Sequence, residues 1–384
     1  MKRSMKRSMK QWLTLGLCGL ALAGCNTSVN QSQSASQEAN GESQAADSQV
    51  QTGGAEAGGG TEAVALEPVN VDDEEAWKQE PAYGKTIKVI NSTGCTAPVN
   101  VAELKGYFDE EGLDVEVVKS QQTTIDAVGT GQVALGAGLI TPTLIPIING
   151  VNAQYLGPMH TGCKGLYVAA DSKAESSADL ADSKIGIHGG LGESDHNVGL
   201  RFFLNSGVDT DSIDWVSTDS SASPQAIANG ELDGAIFDEN VADPFVKNGT
   251  LKELDSTTDT PEFKDEVCCA YYINKDFARE NPITAKRLAR ALYKANAWAE
   301  EDSDAYINYL FEEDLLTGDE EISYDFIDSL DYHPTQDQMS DTVKEIVADY
   351  QELGIVDQSL NPDDLYNQLY APVGFDIQDF VGHN

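Results

Sequence analysis

Ala127-Val128-Gly129-Thr130-Gly131-Gln132-Val133-Ala134-Leu135-Gly136-Ala137 is echoed further along the chain by Ala226-Ile227-Ala228-Asn229-Gly230-Glu231-Leu232-Asp233-Gly234-Ala235-Ile236. In each, a helix ends at a glycine four residues after an alanine, able to take a left-handed conformation, and a short buried strand follows. Either one structural unit occurs once in each of two lobes, or the likeness is that of any helix-glycine-strand junction.

The surroundings point to alternating strands and helices. Thr86 to Ile90 reads as a buried strand, Val99 to Phe108 as a helix, Leu113 to Val118 as an alternating strand, Thr124 to Gly129 as a short helix and Val133 to Ala137 as a strand. Such alternation favours sheets covered by helices, an α/β fold. Asp179 to Lys184 leads into a strand over Ile185 to His188, then Gly189-Gly190-Leu191-Gly192, and Glu193-Ser194-Asp195 offers caps for a helix through Leu204. Asn281 and Pro282 are the cap and first residue expected of another helix, with Leu288, Leu292 and Ala295 on an apolar stripe. Its Lys286, Arg290 and Lys294 share a basic face, either solvated or a docking surface.

The composition changes at Gly84-Lys85. Asn26 to about Tyr83 is rich in Ser, Gln, Ala, Gly and Glu, with no basic residue before Lys78. Such a segment buries too little apolar surface to offset its chain entropy and reads as a disordered acidic tether. As a flexible coil it spans on the order of 40 Å. Upstream, Lys2, Arg3, Lys6, Arg7 and Lys10 precede an apolar run, Trp12 to Ala23, too short to span a bilayer comfortably. The run ends in Leu22-Ala23-Gly24-Cys25, which resembles the bacterial lipobox. Residues 1–24 are therefore expected to be a signal peptide, with Cys25 the lipidated first residue of a mature protein on the extracytoplasmic face of the cell membrane.

Composition excludes some partners. The formal charge of −40 becomes about −45 once the five basic residues of the leader are lost, so nucleic acid is a poor partner. Of six cysteines, Cys95, Cys163, Cys268 and Cys269 remain after Cys18 and Cys25 are accounted for. Their wide spacing is unlike that of a disulfide-stapled miniprotein.

Gly106-Tyr107-Phe108-Asp109-Glu110-Glu111-Gly112-Leu113-Asp114-Val115 resembles a segment near the start of the substrate-binding proteins of ABC importers, in the nitrate, sulfonate, taurine and pyrimidine-precursor group. Gly131-Gln132-Val133, Asp179-Leu180 to Ile187, Gly230 to Ala235, and Tyr272 to Phe277 before Asn281-Pro282 fit the same pattern in the same order, spanning about residues 86 to 300. The resemblance implies a two-lobed periplasmic-binding-protein type II fold with two mixed sheets and two crossover segments. The first lobe would comprise 84–175 and 268–384 and the second 176–267, with hinges near Ala174 and Val267. It also implies a monomer that closes on a small polar ligand and delivers it to a permease driven by a cytoplasmic ATPase.

Ligands of open parallel sheets sit at the carboxyl ends of strands, near helix N-termini. The loops so placed offer Ser92, Thr93, Cys95, Thr96, Thr123, Thr124, Leu139, Thr141 and His160 from the first lobe, and His188, Gly190, Ser194, Asp238 and Glu239 from the second. Asp238 and Glu239 would accept hydrogen bonds from a donor or cationic end of the ligand, unless Asp238 simply caps the following helix. Cys95, Cys163, His160 and His188 all fall in such loops, which raises a thiolate-imidazole metal site, a Cys95–Cys163 disulfide, or packed thiols. No C-x-x-C or H-x-x-x-H spacing supports metal, so no metal or cofactor is expected. The main alternative is a metal- or cofactor-binding lipoprotein of the same fold.

An enzyme is not expected either: G-x-S-x-G, H-E-x-x-H and G-x-x-x-x-G-K-[ST] are all absent, and only five histidines are present. A structural or adhesive lipoprotein would carry β-rich repeats, against the alternation seen here.

Overall fold

The computed structural model describes residues 62–382. Cys25, the expected leader and the tether up to residue 61 lie outside the described residues. The chain lays down β1 (Thr86–Ile90), β2 (Asp114–Val118), β3 (Leu135–Leu139) and β4 (Ala153–Thr161). It then crosses to a second sheet for β5 (Lys164–Ala169), β6 (Lys184–Ile187), β7 (Asp214–Ser217), β8 (Gly234–Asp238) and β9 (Leu251–Ser256), and returns for β10 (Val267–Asn274). The strand orders are β2-β1-β3-β10-β4 and β7-β6-β8-β5-β9. In each sheet three parallel strands are followed by one that runs antiparallel to its neighbours, β10 in the first and β5 in the second. That antiparallel strand is the first one laid down after each crossing. Helices cover the sheets, which is the mixed, two-lobed α/β architecture expected.

The echoed segments occupy equivalent places. Helix Thr124–Gly129 feeds β3 and helix Ser223–Ala228 feeds β8, each strand third in its sheet. Gly131 and Gly230 both have φ +72°. After each, the next N–H reaches back to the alanine that opens the echo (Gln132 to Ala127 and Glu231 to Ala226, both 2.9 Å), while the glycine N–H bonds Val128 or Ile227. These are paired 6→1 and 5→2 closures, which satisfy the last carbonyls of the helix and require a left-handed residue. Side chains alternate as the pleat demands: in β10, Cys269, Tyr271 and Ile273 enter one core and Ala270 and Tyr272 the other.

Two expected boundaries move. Residues 164–169, assigned from sequence to the first lobe, pair with β8 and β9 in the second sheet. The chain therefore changes sheet at Gly162-Cys163, not near Ala174, because the run Gly165-Leu166-Tyr167-Val168 serves as the antiparallel strand of the second sheet. The return crossing ends at Val267, the first residue of β10.

The other correction concerns residues 62–83, read as part of a disordered tether. They form a strap along helix Pro282–Glu301. Leu66 and Trp77 are buried, Trp77 Nε1 donates to Thr284 Oγ1 at 2.9 Å, and the Arg287 guanidinium lies 3.7 Å from the Trp77 ring centre. Glu80 accepts from the Ile283 and Thr284 N–H groups, capping the helix, while Asn281, the expected cap, instead accepts from Ala82 N. Lys286 donates to the Glu67 and Val69 carbonyls and Arg290 pairs with Asp72. Lys294 meets Glu110 and Glu111 at 2.9 Å. The basic face is thus neither solvated nor open for docking. Composition alone hid this, because the strap is held mainly by charge and main-chain bonds with only two large apolar anchors. Among the described residues no helix is long and apolar enough to cross a membrane.

Candidate functional site

The two crossings run side by side, since Val267 of β10 is in register with Thr161 of β4. Around them five residues from separate segments converge. Half-buried Cys95 sits in the short helical turn Gly94–Thr96 after β1, a turn anchored by Gly94 N to Leu315 O (2.8 Å) and by Tyr332 OH to Cys95 O (2.9 Å). His160 is the penultimate residue of β4 and is fully buried; Cys163 is in the first crossing; Cys268 and Cys269 follow Val267 at the start of β10, where Cys269 is in register with His160 and Leu139.

His160 Nδ1 lies 2.9 Å from the Thr161 carbonyl, which can only accept, so Nδ1 carries a proton and any exchange of a proton with the thiols falls to Nε2. That Nε2 has no conventional hydrogen-bond partner. One ring nitrogen of His160 and the sulfurs of Cys95 and Cys269 lie within 4.8 Å of one another. The second thiol pair is closer still, with Cys163 Sγ and Cys268 Sγ 2.9 Å apart. The protons are shared unequally. Cys95 is held well below the ordinary thiol range by the Cys269 thiol and then His160, against burial, while Cys269 is pushed up by its three neighbouring thiols. Cys268 is lowered to about 6 by the Cys163 thiol, and Cys163 is raised in turn. Burial works against a charged His160, but the contact with Cys95 outweighs it and its pKa rises. Soft thiolate beside imidazole is a donor set able to hold a soft or borderline metal ion.

A charge cluster adjoins the sulfurs on the second-lobe side. Lys164 Nζ lies 2.6 Å from both Asp195 Oδ1 and Asp238 Oδ1. Burial disfavours its charge, but the two carboxylates outweigh that and raise its pKa. Asp195, also buried, accepts from His188 N at 3.0 Å and from Ser194 Oγ at 3.3 Å. Glu239 accepts from Thr258 Oγ1 at 2.6 Å, and its N–H donates to the Cys163 carbonyl at 3.0 Å.

Burial raises the Glu239 carboxyl to about 7, with Cys163, Glu253 and Asp259 adding to it. A carboxyl raised in the folded state binds protons there that the unfolded chain has already released. Stability from this group is therefore greatest below its unfolded value near 4.3 and falls as pH rises to about 7. Glu239→Gln is expected to flatten the pH dependence of the urea midpoint between about pH 5 and 7; an unchanged slope would count against it.

Beside the crossings the cleft between the lobes is nearly closed. There a void of about 20 Å³, room for a single water, is bordered by Leu139, Thr141, Phe202, Thr257 and Cys268, while a second void of about 180 Å³ lies between Tyr167, Glu239 and Glu253 of the second lobe and Asp325 and Phe326 of the first. Arg201 of the second lobe is clamped by Glu266 at 2.5 and 2.7 Å and reaches Asp349 of helix Gln336–Glu352 at 2.6 Å. Lys247 likewise reaches Asp325 at 2.5 Å. At the smaller void, a ligand larger than water requires the lobes to part.

The residues proposed from sequence divide into groups. Cys95, Leu139, Thr141 and His160 lie at the sulfurs or the void; His188, Ser194 and Asp238 join the Lys164 cluster; Glu239 sits beside the first crossing. Asp238 neither caps helix Glu239–Lys247 nor stands free as an acceptor, because Lys164 occupies it. Ser92, Thr93, Thr96, Thr123, Thr124 and Gly190 serve their own loops. Ser92 N is bound by Asn100, Thr96 Oγ1 by the Thr93 carbonyl, Thr123 caps helix Thr124–Gly129, Thr124 packs beside Gly136, and Gly190 supplies a positive φ. Lys164 and Asp195 were missed. The available signal was a lone lysine opening an apolar strand, which needs a buried counter-charge.

A family model described as NMT1/THI5 like matches residues 95–305, more than half of the chain. The chain belongs to that family. A curated relative in this NMT1/THI5-like family, the 4-amino-5-hydroxymethyl-2-methylpyrimidine phosphate synthase of Saccharomyces cerevisiae, is 23% identical over 214 residues, 52% of this chain and 61% of the relative. The chain thus spans under two thirds of that relative's length. Among solved structures, a putative periplasmic sulfonate-binding protein of an ABC transporter from Methylobacillus flagellatus superposes with TM-score 0.60 at 18% identity, covering 75% of this chain and 92% of that one. The periplasmic nitrate-binding protein of Synechocystis gives 0.57 at 17% identity, covering 74% and 85%. These likenesses establish the periplasmic-binding-protein fold. The expectation that the chain is not an enzyme is corrected, because curated relatives are named as synthases; motif absence was a poor guide, since chemistry need not use any of the motifs sought.

Proposed function

We propose that this protein is the solute-binding component of an ABC importer, capturing a small polar ligand between its lobes. The observation that carries the reading is a cleft between two lobes spanned by two inter-lobe ion pairs, in a fold whose crossings supply the pivot. The sulfonate- and nitrate-binding neighbours and the pyrimidine named in its relatives support sulfonate, nitrate, taurine or a pyrimidine precursor as ligand classes. A permease with a cytoplasmic ATPase is the partner this role requires. Lipid on Cys25 would hold the monomer at the extracytoplasmic membrane face. In a thermal-shift screen of those compounds, a ligand at 100 times its Kd should add about 2.7 kcal/mol of stability. Silence across all classes would sink the proposal.

A second reading is favoured by one observation, the convergence of Cys95, His160 and Cys269 within 4.8 Å. Three donors of this kind suit a soft or borderline metal ion. Elemental analysis of protein purified without chelator should then find close to one equivalent of metal, lost in Cys95→Ser; metal-free protein would exclude this reading.

A further inference from the structure

Cys163 lies on the first segment that connects the lobes and Cys268 at the start of β10, where the second one ends, and no other connection joins the two sheets among the described residues. Their sulfurs are 2.9 Å apart although 105 positions separate them in sequence. A disulfide is about 2.05 Å long, so the bond needs the sulfurs to close by about 0.9 Å.

The backbone is arranged for this contact. Cys163 has φ +124°, a conformation that L-residues rarely adopt and that persists only where surroundings impose it. Here Thr258 Oγ1 receives its N–H at 3.4 Å and Glu239 N donates to its carbonyl at 3.0 Å, both from the second lobe. On the other side, Cys268 falls in a register irregularity of β10 between Val267 and Cys269, so it departs from the regular alternation that buries Cys269.

We propose that Cys163 and Cys268 form a reversible disulfide that ties the first crossing to the foot of the second, at the start of β10, and restricts the parting of the lobes. The bond does not depend on what the cleft binds, whereas its effect on opening rests on the two-lobed capture proposed above. The oxidant is a small disulfide. Cys268, the more exposed of the two, attacks one of its sulfurs as a thiolate and expels a thiolate. Cys163 then gives up its proton and attacks Cys268 Sγ, expelling the second thiolate. One oxidant S–S bond breaks, the Cys163–Cys268 bond forms, and two electrons and two protons leave the protein to make two small-molecule thiols.

The test uses the full chain, reduced, freed of metal and then equilibrated with oxidised glutathione. Tandem mass spectrometry of a non-reducing digest should show Cys163 linked to Cys268, lighter by two hydrogens than the separate peptides, with Cys95 and Cys269 still open to alkylation. Cys269→Ser should keep the link and Cys268→Ser should abolish it. A Cys95–Cys269 link, glutathione adducts that go no further, or four alkylatable thiols would overturn the bond. In the unmodified chain, oxidation should also slow amide exchange several-fold over residues 161–164 and 257–267 without any ligand. Equal exchange in both redox states would overturn the lock while leaving the solute-binding reading untouched.

Discussion

A chain cut back to residue 84 is expected to lose more than about 5 kcal/mol of stability relative to the full chain, or to fail to fold. The missing strap carries Trp77, whose loss alone corresponds to about 3–5 kcal/mol for a buried aromatic. It also carries Glu74, the carboxylate partner of Arg287, and the Val71 carbonyl on the same guanidinium. Arg287 is itself buried, so its charge would be left with only the Glu111 carbonyl. Removing one partner of a buried charge costs more than the pair contributed, because the remaining ion cannot recover its hydration. Trp77→Ala in the full chain separates the two terms: a fall of about 3–5 kcal/mol in urea unfolding is expected, smaller than that of the truncation. A truncated chain that melts with the full one would show that the strap is an ornament.

Asp195→Ala is expected to cost about 3–5 kcal/mol, again as a buried charge losing its partner. Lys164 would retain only Asp238, whose side chain is 46% exposed, while the His188 N–H would lose its acceptor. If the loss arises from the stranded ammonium, Lys164→Met combined with Asp195→Asn should be milder than Asp195→Ala alone. The outcome that would refute this is a double variant at least as unstable as the single one, which would point to shape or to the His188 loop. Stability by denaturant titration at pH 7 decides between them.

These sensitivities lie where sequence patterns are silent. The strand Thr86–Ile90, the helix Thr124–Gly129 and the start of the long helix at Pro282 were all legible, because periodicity, caps and prolines act within a few residues. The echo around Gly131 and Gly230 was legible for the same reason, since a left-handed helix end is a local event that glycine permits. The helix expected over Val99 to Phe108 is divided at Gly106, whose φ of +79° ends one segment and starts the next. Residues 164–169 fall inside the stretch expected in the first lobe, and only pairing with β8 and β9 puts them in the second sheet.

By itself the sequence determined the α/β class, the two repeated junctions and the family pattern, all properties of short windows of chain. Tertiary structure alone decided that an acidic, sparsely apolar segment would bind a basic helix, and that Cys95, His160, Cys163, Cys268 and Cys269 would converge. It also decided that Lys164 would be charged between Asp195 and Asp238. Each of these joins residues tens to hundreds of positions apart, where burial turns charge and thiol chemistry into strong interactions that spacing along the chain does not encode.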